Sequence, residues 1–384
     1  MATTDHPTGT TPAASELAER LAEAPFVRIV AGASGDALAA SGLVVAAVSA
    51  RDVPFQVSVV RTRDDAASRL SAGEPDDVAV AIGCAPDTGI ETNAISVPGI
   101  DDPASVTVAA ASRELGIEPD PTAVLVGIVA SGARPADYPT VYEAAGGEAS
   151  RTAGVGLPTA DLADGLAHTT LAHASFSGDE LAAGAALAEL ADDDPRTVAS
   201  MLVFETLGRD GTTPRSGTAI ERALRPHSTP ECAFASVEGY ADVLDCVAKA
   251  RPGIALALAI GRDVRVEALE AWREHACAAH ETVRTASTSR YDGLFVAQAD
   301  DAPVETAARL LRDFRSPEPV ALVLAGGEAG VAAVDGHDVG SITNEAATAV
   351  GGTAGAAAGN GRRGYARFEC GTDEFLNAFR EALA

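Results

Sequence analysis

Lysine is almost missing from this chain: Lys249 is the only one in 384 residues, so arginine supplies nearly all of the 28 positive charges. Against them stand 55 acidic side chains, which leaves a net charge of −27. Such a chain carries a solvated acidic surface that repels nucleic acid at low salt, because affinity for nucleic acid rests chiefly on phosphate neutralisation. In molar salt the screening length falls to about 3 Å, and repulsion and attraction both fade. With aromatics at only 4%, the composition points to the high-salt cytoplasm of a halophilic archaeon. The charge therefore speaks of habitat first and of partners second.

Other absences exclude whole classes. The five cysteines, Cys84, Cys232, Cys246, Cys277 and Cys370, are scattered, with no Cys-x-x-Cys pair to hold zinc or run redox chemistry. Reduced thiols in a cytosolic protein are expected. No apolar run approaches the roughly 20 residues that a membrane helix needs, and the polar stretch from Met1 to Pro12 lacks a signal peptide's apolar core. The expectation is a cytoplasmic protein with no membrane partner. A P-loop is excluded because no Gly-Lys-Ser/Thr occurs, and no Gly-x-Ser-x-Gly elbow with a partner set supports a serine hydrolase. Gly32-Ala-Ser-Gly35 could be a dinucleotide loop, but it is not Gly-x-Gly-x-x-Gly, and Asp36 would set a carboxylate beside the pyrophosphate.

What is present is a large apolar fraction, 47%, and an alternation of patterns. The length suggests two domains or more. A helix over 15–24 leads into a strand over 27–31, a helix over 36–50, a strand over 55–60 and a helix over 64–72. This rhythm implies an α/β protein with a mostly parallel sheet covered on both faces. The expected organisation is a disordered start over 1–14, a parallel-sheet domain over 15–160, a helical connector over 161–230 and a smaller α/β domain over 231–384.

The most informative segment runs from Phe26 to Gly42. An apolar strand ends in Gly32-Ala-Ser-Gly35 and an alanine-rich helix opens at Asp36, so one carboxylate sits beyond a strand's C-terminal end, where open α/β sheets place ligands. This outline resembles the DHH phosphoesterase superfamily, whose RecJ-like members hydrolyse single-stranded nucleic acid with two divalent metals. That family's first motif, His-x-Asp-x-Asp-Gly, overlays on Gly32, Ser34, Asp36 and Ala37, and only Asp36 is kept. The later motifs fall on Gly83 or Cys84 after the strand 77–85, on Val97, Pro98 and Gly99, and on Ala130 or Ser131 at the end of an apolar helix over 123–132. None offers the family's metal ligands. Asp101 and Asp102 read instead as caps for the helix that follows Pro103. A two-metal site needs several oxygen ligands, so the resemblance implies degenerate metal motifs, no catalytic residue and no cofactor. Mn²⁺ or Mg²⁺ enters only if the nuclease alternative holds.

The C-terminal end resembles the same family independently. Ala349 to Asn360 is similar to the Gly-Gly-Gly-His-x-x-Ala-Ala-Gly loop of the DHH-associated C-terminal domain: Gly351, Gly352, Ala357, Ala358 and Gly359 match, and Ala354 stands where histidine belongs. A family Ser-x-Arg contact falls on Ala333 and Asp335. Remaining phosphate binders would be Gly351, Gly352, Gly359, Arg362 and Arg363, with weak affinity for single strands. His168 and His173, like His275 and His280, are five residues apart, off the one-face spacing of a helix, and read as packing or solvated groups. Asp192 to Asp194 read as a cap for the helix opening at Pro195. The resemblance implies a RecJ-like protein kept as a structural or nucleic-acid-associated subunit in replication or repair, bound to GINS or MCM. An active single-strand exonuclease and a non-catalytic single-strand binder are the alternatives.

Overall fold

The computed structural model describes residues 12–74, 76–84, 94–145, 151–209, 211–228, 232–334, 336–354 and 361–384. Its first half begins with α1 (Pro12–Ala22), so the helix starts ahead of the expected Ser15, and runs β1 (Val27–Gly32), α2 (Gly35–Ser49), β2 (Phe55–Val60), α3 (Arg63–Leu70), β3 (Val78–Ile82) and β4 (Ala94–Val97). Helices α4 (Ala104–Glu114), α5 (Pro121–Ser131) and α6 (Pro139–Ala144) follow. The four strands lie in the order β2-β1-β3-β4, all parallel, with Ile29 facing Val57 on one side and Val80 on the other.

Strand β1 leads through α2 to a neighbour on one side, while β3 lies on the other. The switch point thus falls between the C-terminal ends of β1 and β3, at Gly32 and Gly83, the place where such sheets bind ligands. Val27, Ile29 and Ala31 pack against α2, α4 and α5, whereas Val30 and Ala81 face α3 through Ala66 and Leu70. Helices α2 and α5 are apolar on nearly all sides, as fully buried helices are. Asp120 caps α5 by accepting from the Thr122 N–H at 2.8 Å, Pro121 opens the helix, and Gly132 closes it at φ 89°.

A helical stretch then comprises α7 (Leu162–His168), α8 (Glu180–Ala188), α9 (Pro195–Leu207) and α10 (Arg215–Ile220), packed on a small core of Leu157, Leu166, Phe176, Leu202 and Ile220. Next come α11 (Val237–Ala250), α12 (Pro252–Ala259) and the 21-residue α13 (Arg265–Thr285). Although these lie beyond residue 231, Phe234, Val237, Leu244 and Trp272 belong to the core of the first sheet.

The second sheet comprises β5 (Ser287–Tyr291), β6 (Leu294–Ala299), β7 (Val320–Ala325), β8 (Glu328–Ala333), β9 (Thr353–Ala354) and β10 (Arg363–Arg367), in the order β5-β6-β7-β8-β10-β9. Only β6 and β7 are parallel. One face, with Leu322 and Val331, is covered by α15 (Val339–Ala349) and α16 (Thr372–Leu383). The other, with Ala321 and Val323, is covered by the amphipathic α14 (Val304–Phe314) and by Ala279 and Val283 of α13. Helix α13 therefore serves both cores. Among the described residues no helix is long and apolar enough to cross a membrane.

Candidate functional site

Beyond the ends of β1 and β3 lies a narrow crevice lined by Ser34, Asp36, Gly83, Pro98, Gly99, Ala130, Ser131 and Arg363. The fold thus brings together Asp36, Gly83, Pro98 and Ala130, the positions expected from the phosphoesterase resemblance, although Ala130 lies 94 positions beyond Asp36 in the chain. They meet because Asp36, Gly83 and Pro98 follow the C-terminal ends of β1, β3 and β4, and Ala130 lies in the last turn of α5.

Asp36 sits in the first turn of α2, whose N-terminus is capped by Ser34 Oγ accepting from the Ala37 N–H at 3.3 Å. Its carboxylate points across to the start of α4. There Oδ2 accepts from the Ala104 N–H at 2.7 Å and Oδ1 from the Ser105 N–H at 3.1 Å. Asp36 therefore caps α4 from a distance, in place of the expected Asp101 or Asp102. The N-cap position itself is Pro103, which makes no side-chain cap bond, and Asp102 accepts from Tyr138 Oη at 3.2 Å. Burial pushes the Asp36 carboxyl up to about 6, against the opposing hydrogen bonds from residues 104 and 105.

The other polar atoms of the crevice are similarly engaged. Ser131 Oγ donates to the Ile128 carbonyl at 2.7 Å, and in the neighbouring hollow beside Arg61 the Cys84 thiol donates to the Val30 carbonyl at 3.3 Å. Burial pushes that thiol up to about 12, so it stays protonated. Among the described residues no group of three or more His, Cys, Asp or Glu is placed to hold a metal ion.

Two polar clamps join the first sheet to the second across this region. In one, Arg363 at the start of β10 reaches 3.7 Å from Asp245 Oδ2. Asp245, on α11, also accepts from the Gly35 N–H at 3.1 Å and pairs with Lys249 at 2.8 Å. Burial opposes its ionisation, but the charges of Lys249 and Arg363 outweigh it and hold this carboxyl well below the usual range. In the other, Arg61 at the end of β2 pairs with Glu305 at 2.8 Å and Glu328 at 3.4 Å, and lies over the Tyr365 ring at 4.0 Å. Tyr365 Oη donates to Glu328 at 2.6 Å.

Of the residues expected to meet phosphate, Arg363 enters the crevice but faces Asp245, and Arg362 lends its carbonyl to the Ala333 N–H at 2.8 Å. Gly351 terminates α15 at φ 69°, and a side chain on Gly352 would collide with the Arg367 carbonyl, so backbone geometry accounts for both. Ala354 is buried in β9. Gly359, Ala357, Ala358 and Asp335 lie outside the described residues. Asp194 caps α9, accepting from the Arg196 N–H at 3.0 Å.

The four histidines are all buried. His168 Nδ1 lies 3.1 Å from Asp164, His275 Nε2 meets Thr306 Oγ1 at 2.8 Å, and His173 stacks on His280 with their Nδ1 atoms 3.0 Å apart. Sequence reading missed a buried cluster in which Asp242 accepts from the Thr170 N–H at 2.9 Å and Trp272 Nε1 at 3.1 Å, while Arg309 donates to the Thr170 carbonyl at 2.9 Å. Its members are 72 and 139 residues apart, so no local signal exists. The Asp245 and Lys249 pair, at i and i+4 on one helix, was within reach of sequence reading.

A family model described as "Uncharacterized protein rrnAC1427, C-terminal domain" matches residues 286–381, the segment that builds the second sheet. Across nearly the whole chain, a protein of that name from Haloarcula marismortui is 44% identical over 385 residues, covering 97% of this chain and 98% of its own length. The chain belongs to the rrnAC1427 family. Its Haloarcula member fits the acidic, lysine-poor composition. The fold of the rrnAC1427 family chain is similar to that of CDC45 from Entamoeba histolytica (TM-score 0.59, 8% identity, covering 96% of this chain and 97% of that one). It is also similar to RecJ from Thermus thermophilus in complex with Mn²⁺ (TM-score 0.52, 13% identity), covering 99% of this chain but only 55% of that one. A further RecJ structure bound to manganese gives a TM-score of 0.51 at 14% identity, covering 98% of this chain and 95% of that one. The rrnAC1427 family chain thus has a RecJ-like DHH fold, a parallel sheet joined to a mixed one.

Proposed function

We propose that this chain is a RecJ-like DHH protein without phosphodiester-hydrolysing chemistry, retained as a structural subunit of the replication or repair machinery. One observation carries the reading: both oxygens of Asp36, the single carboxylate at the motif positions, are spent on the backbone N–H groups of Ala104 and Ser105. A two-metal site needs several hard oxygen ligands directed at ions about 4 Å apart, and the described donor set does not fit such a pair. Arg363 in the same crevice adds positive charge where cations would have to bind.

The partners expected from the family resemblance are GINS and MCM. The end-to-end likeness to CDC45 supports association with a replication complex in place of a free enzyme. Weak single-strand binding through residues near Arg362 and Arg363 is compatible with that role.

Two measurements test the reading. In molar KCl with Mn²⁺ or Mg²⁺ the protein should not shorten single-stranded DNA or RNA above background. Hydrolysis that needs metal and vanishes in Asp36→Ala would overturn the loss of catalysis. Affinity purification from native cells in native salt, with nuclease added, should recover GINS subunits or MCM; a different stable partner in their place would overturn the replication assignment alone.

A further inference from the structure

Away from the crevice, between the turn after α7, the end of α9 and the C-terminal ends of α13 and α14, lies an open cavity of roughly 280 Å³. Three guanidinium groups, Arg209, Arg284 and Arg315, converge on it. In a chain with 55 acidic and 28 basic residues, such a cluster runs against the overall composition. Their partners are mostly carbonyls: Arg209 donates to Ala174 at 2.7 Å, Arg284 to Ser177 and Arg315 to Val283. Among the described residues Arg209 and Arg315 form no ion pair, while Arg284 meets Glu281 at 3.0 Å. Glu205, which favours the charge on Arg209, accepts from Ser175 Oγ.

Two residues that line the cavity each hold a buried polar atom without a partner: His173 Nε2 and Thr206 Oγ1. Both residues are only 2% exposed. Unsatisfied groups of this kind are costly and call for a ligand or an ordered solvent partner. Three cations and a hydroxyl donor around one space match the several acceptor oxygens of a phosphate group, and the imidazole nitrogen matches its O–H. The volume lies close to the lower bound of the range of about 300–1,000 Å³ usual for small-molecule sites, and exceeds what a bare ion needs.

We propose that this cavity is a binding site for the phosphate group of a small phosphorylated molecule. The hydrogen-bond pattern adds a proton requirement. His280 Nε2 faces the Thr169 carbonyl at 3.1 Å and so carries hydrogen, which leaves its Nδ1 to accept from His173 Nδ1 at 3.0 Å. His173 then offers a bare lone pair at Nε2. Burial, with His280, Arg209, Arg284 and Arg315 alongside, holds this imidazole well below its ordinary pKa. A ligand must bring an O–H to it, or the ring must gain a proton as the anion enters. Binding should therefore tighten as pH falls through the second ionisation of a phosphate monoester, near about 6.

The test is calorimetric titration of the full chain with potassium phosphate, adenosine 5′-monophosphate and adenosine, at constant ionic strength. Phosphate and the monophosphate should bind saturably and compete, and adenosine should not bind. Preference for the monophosphate over phosphate would identify an organic ligand, and equal affinity a free phosphate ion; either outcome supports the anion site. Arg209→Gln with Arg315→Gln should weaken binding by about tenfold or more, as expected for losing hydrogen bonds to charge. Should that variant fail to fold, Thr206→Val decides, because its hydroxyl has no partner to lose; a several-fold weakening is expected. Absence of saturable binding by either phosphate compound, adenosine binding as well as its monophosphate, or affinity unchanged in Thr206→Val and the arginine variant, would refute the site. So would binding of a single-stranded oligonucleotide without binding of the monophosphate.

Discussion

Lys249, the only lysine in the chain, lies buried 2.8 Å from Asp245, one turn back on the same helix. Asp245 in turn holds the Gly35 N–H at the mouth of β1 and faces Arg363 from the second sheet. One carboxylate thus ties α11, the first turn of α2 and β10 together. Lysine's compact, strongly hydrated head makes it the costlier cation to bury, and here the Asp245 carboxylate and carbonyl, both at 2.8 Å, offset that cost.

Lys249→Met should be strongly destabilising, because deleting one partner of a buried pair leaves the other without full compensation, at about 3 kcal/mol. The expected result is a lower midpoint in guanidinium denaturation with an unchanged slope. Asp245, held below the usual carboxylate range, contributes stability that is present above its unfolded value of 3.8 and is lost as pH falls from there through the folded value.

Asp36 has the opposite sign. Its carboxyl is raised from 3.8 to about 6 in the folded chain, so the folded state binds the proton more tightly between those values. Stability should decline as pH rises from about 4 to about 6, by an amount on the order of 3 kcal/mol. Asp36→Ala should flatten that segment of the pH profile while costing about 1 kcal/mol through the lost cap. A profile unchanged by the substitution would show that Asp36 titrates normally.

Tyr365→Phe should lower stability by about 1 kcal/mol, the usual worth of a hydrogen bond to a charged group at partial exposure. Arg61→Ala removes both ion pairs and the ring contact, and should cost more than Tyr365→Phe. In a double-mutant cycle the two losses should fall short of additive, since both act on Glu328.

Removing salt should loosen the fold through self-repulsion of the acidic surface. The thermal midpoint is expected to climb steeply between about 0.2 M and 2 M KCl, where the screening length drops below surface charge spacings. A flat midpoint over that range would mean that the acidity answers to a basic partner.

Much of the first sheet was legible because its strands are apolar runs closed by glycine or a cap. Strand β2 begins and ends where periodicity puts it, β1 runs one residue longer, and α2 begins and ends one residue earlier than expected. Strand β5 was not legible: Ser-Thr-Ser-Arg-Tyr is exposed and lacks alternation, and it is a strand only because β6 pairs with it. At the candidate site, the meeting of Asp36, Gly83, Pro98 and Ala130 followed from reading where strands and helices end. The capping role of Asp36 did not, because the donors are backbone N–H groups 68 and 69 residues away, which leave no trace in side-chain identity. The arginine cavity escaped for a similar reason, its members coming from four separate segments.

Helix α13 gives Trp272 to the core of the first sheet and Ala279 and Val283 to that of the second. A fragment cut at residue 286, where the C-terminal family match begins, would keep every strand of the second sheet yet uncover Ala307, Leu311 and Phe314 where α13 had lain. Such a fragment would be sticky, self-associating through that bared stripe, so sequence modularity and autonomous folding part company at this helix.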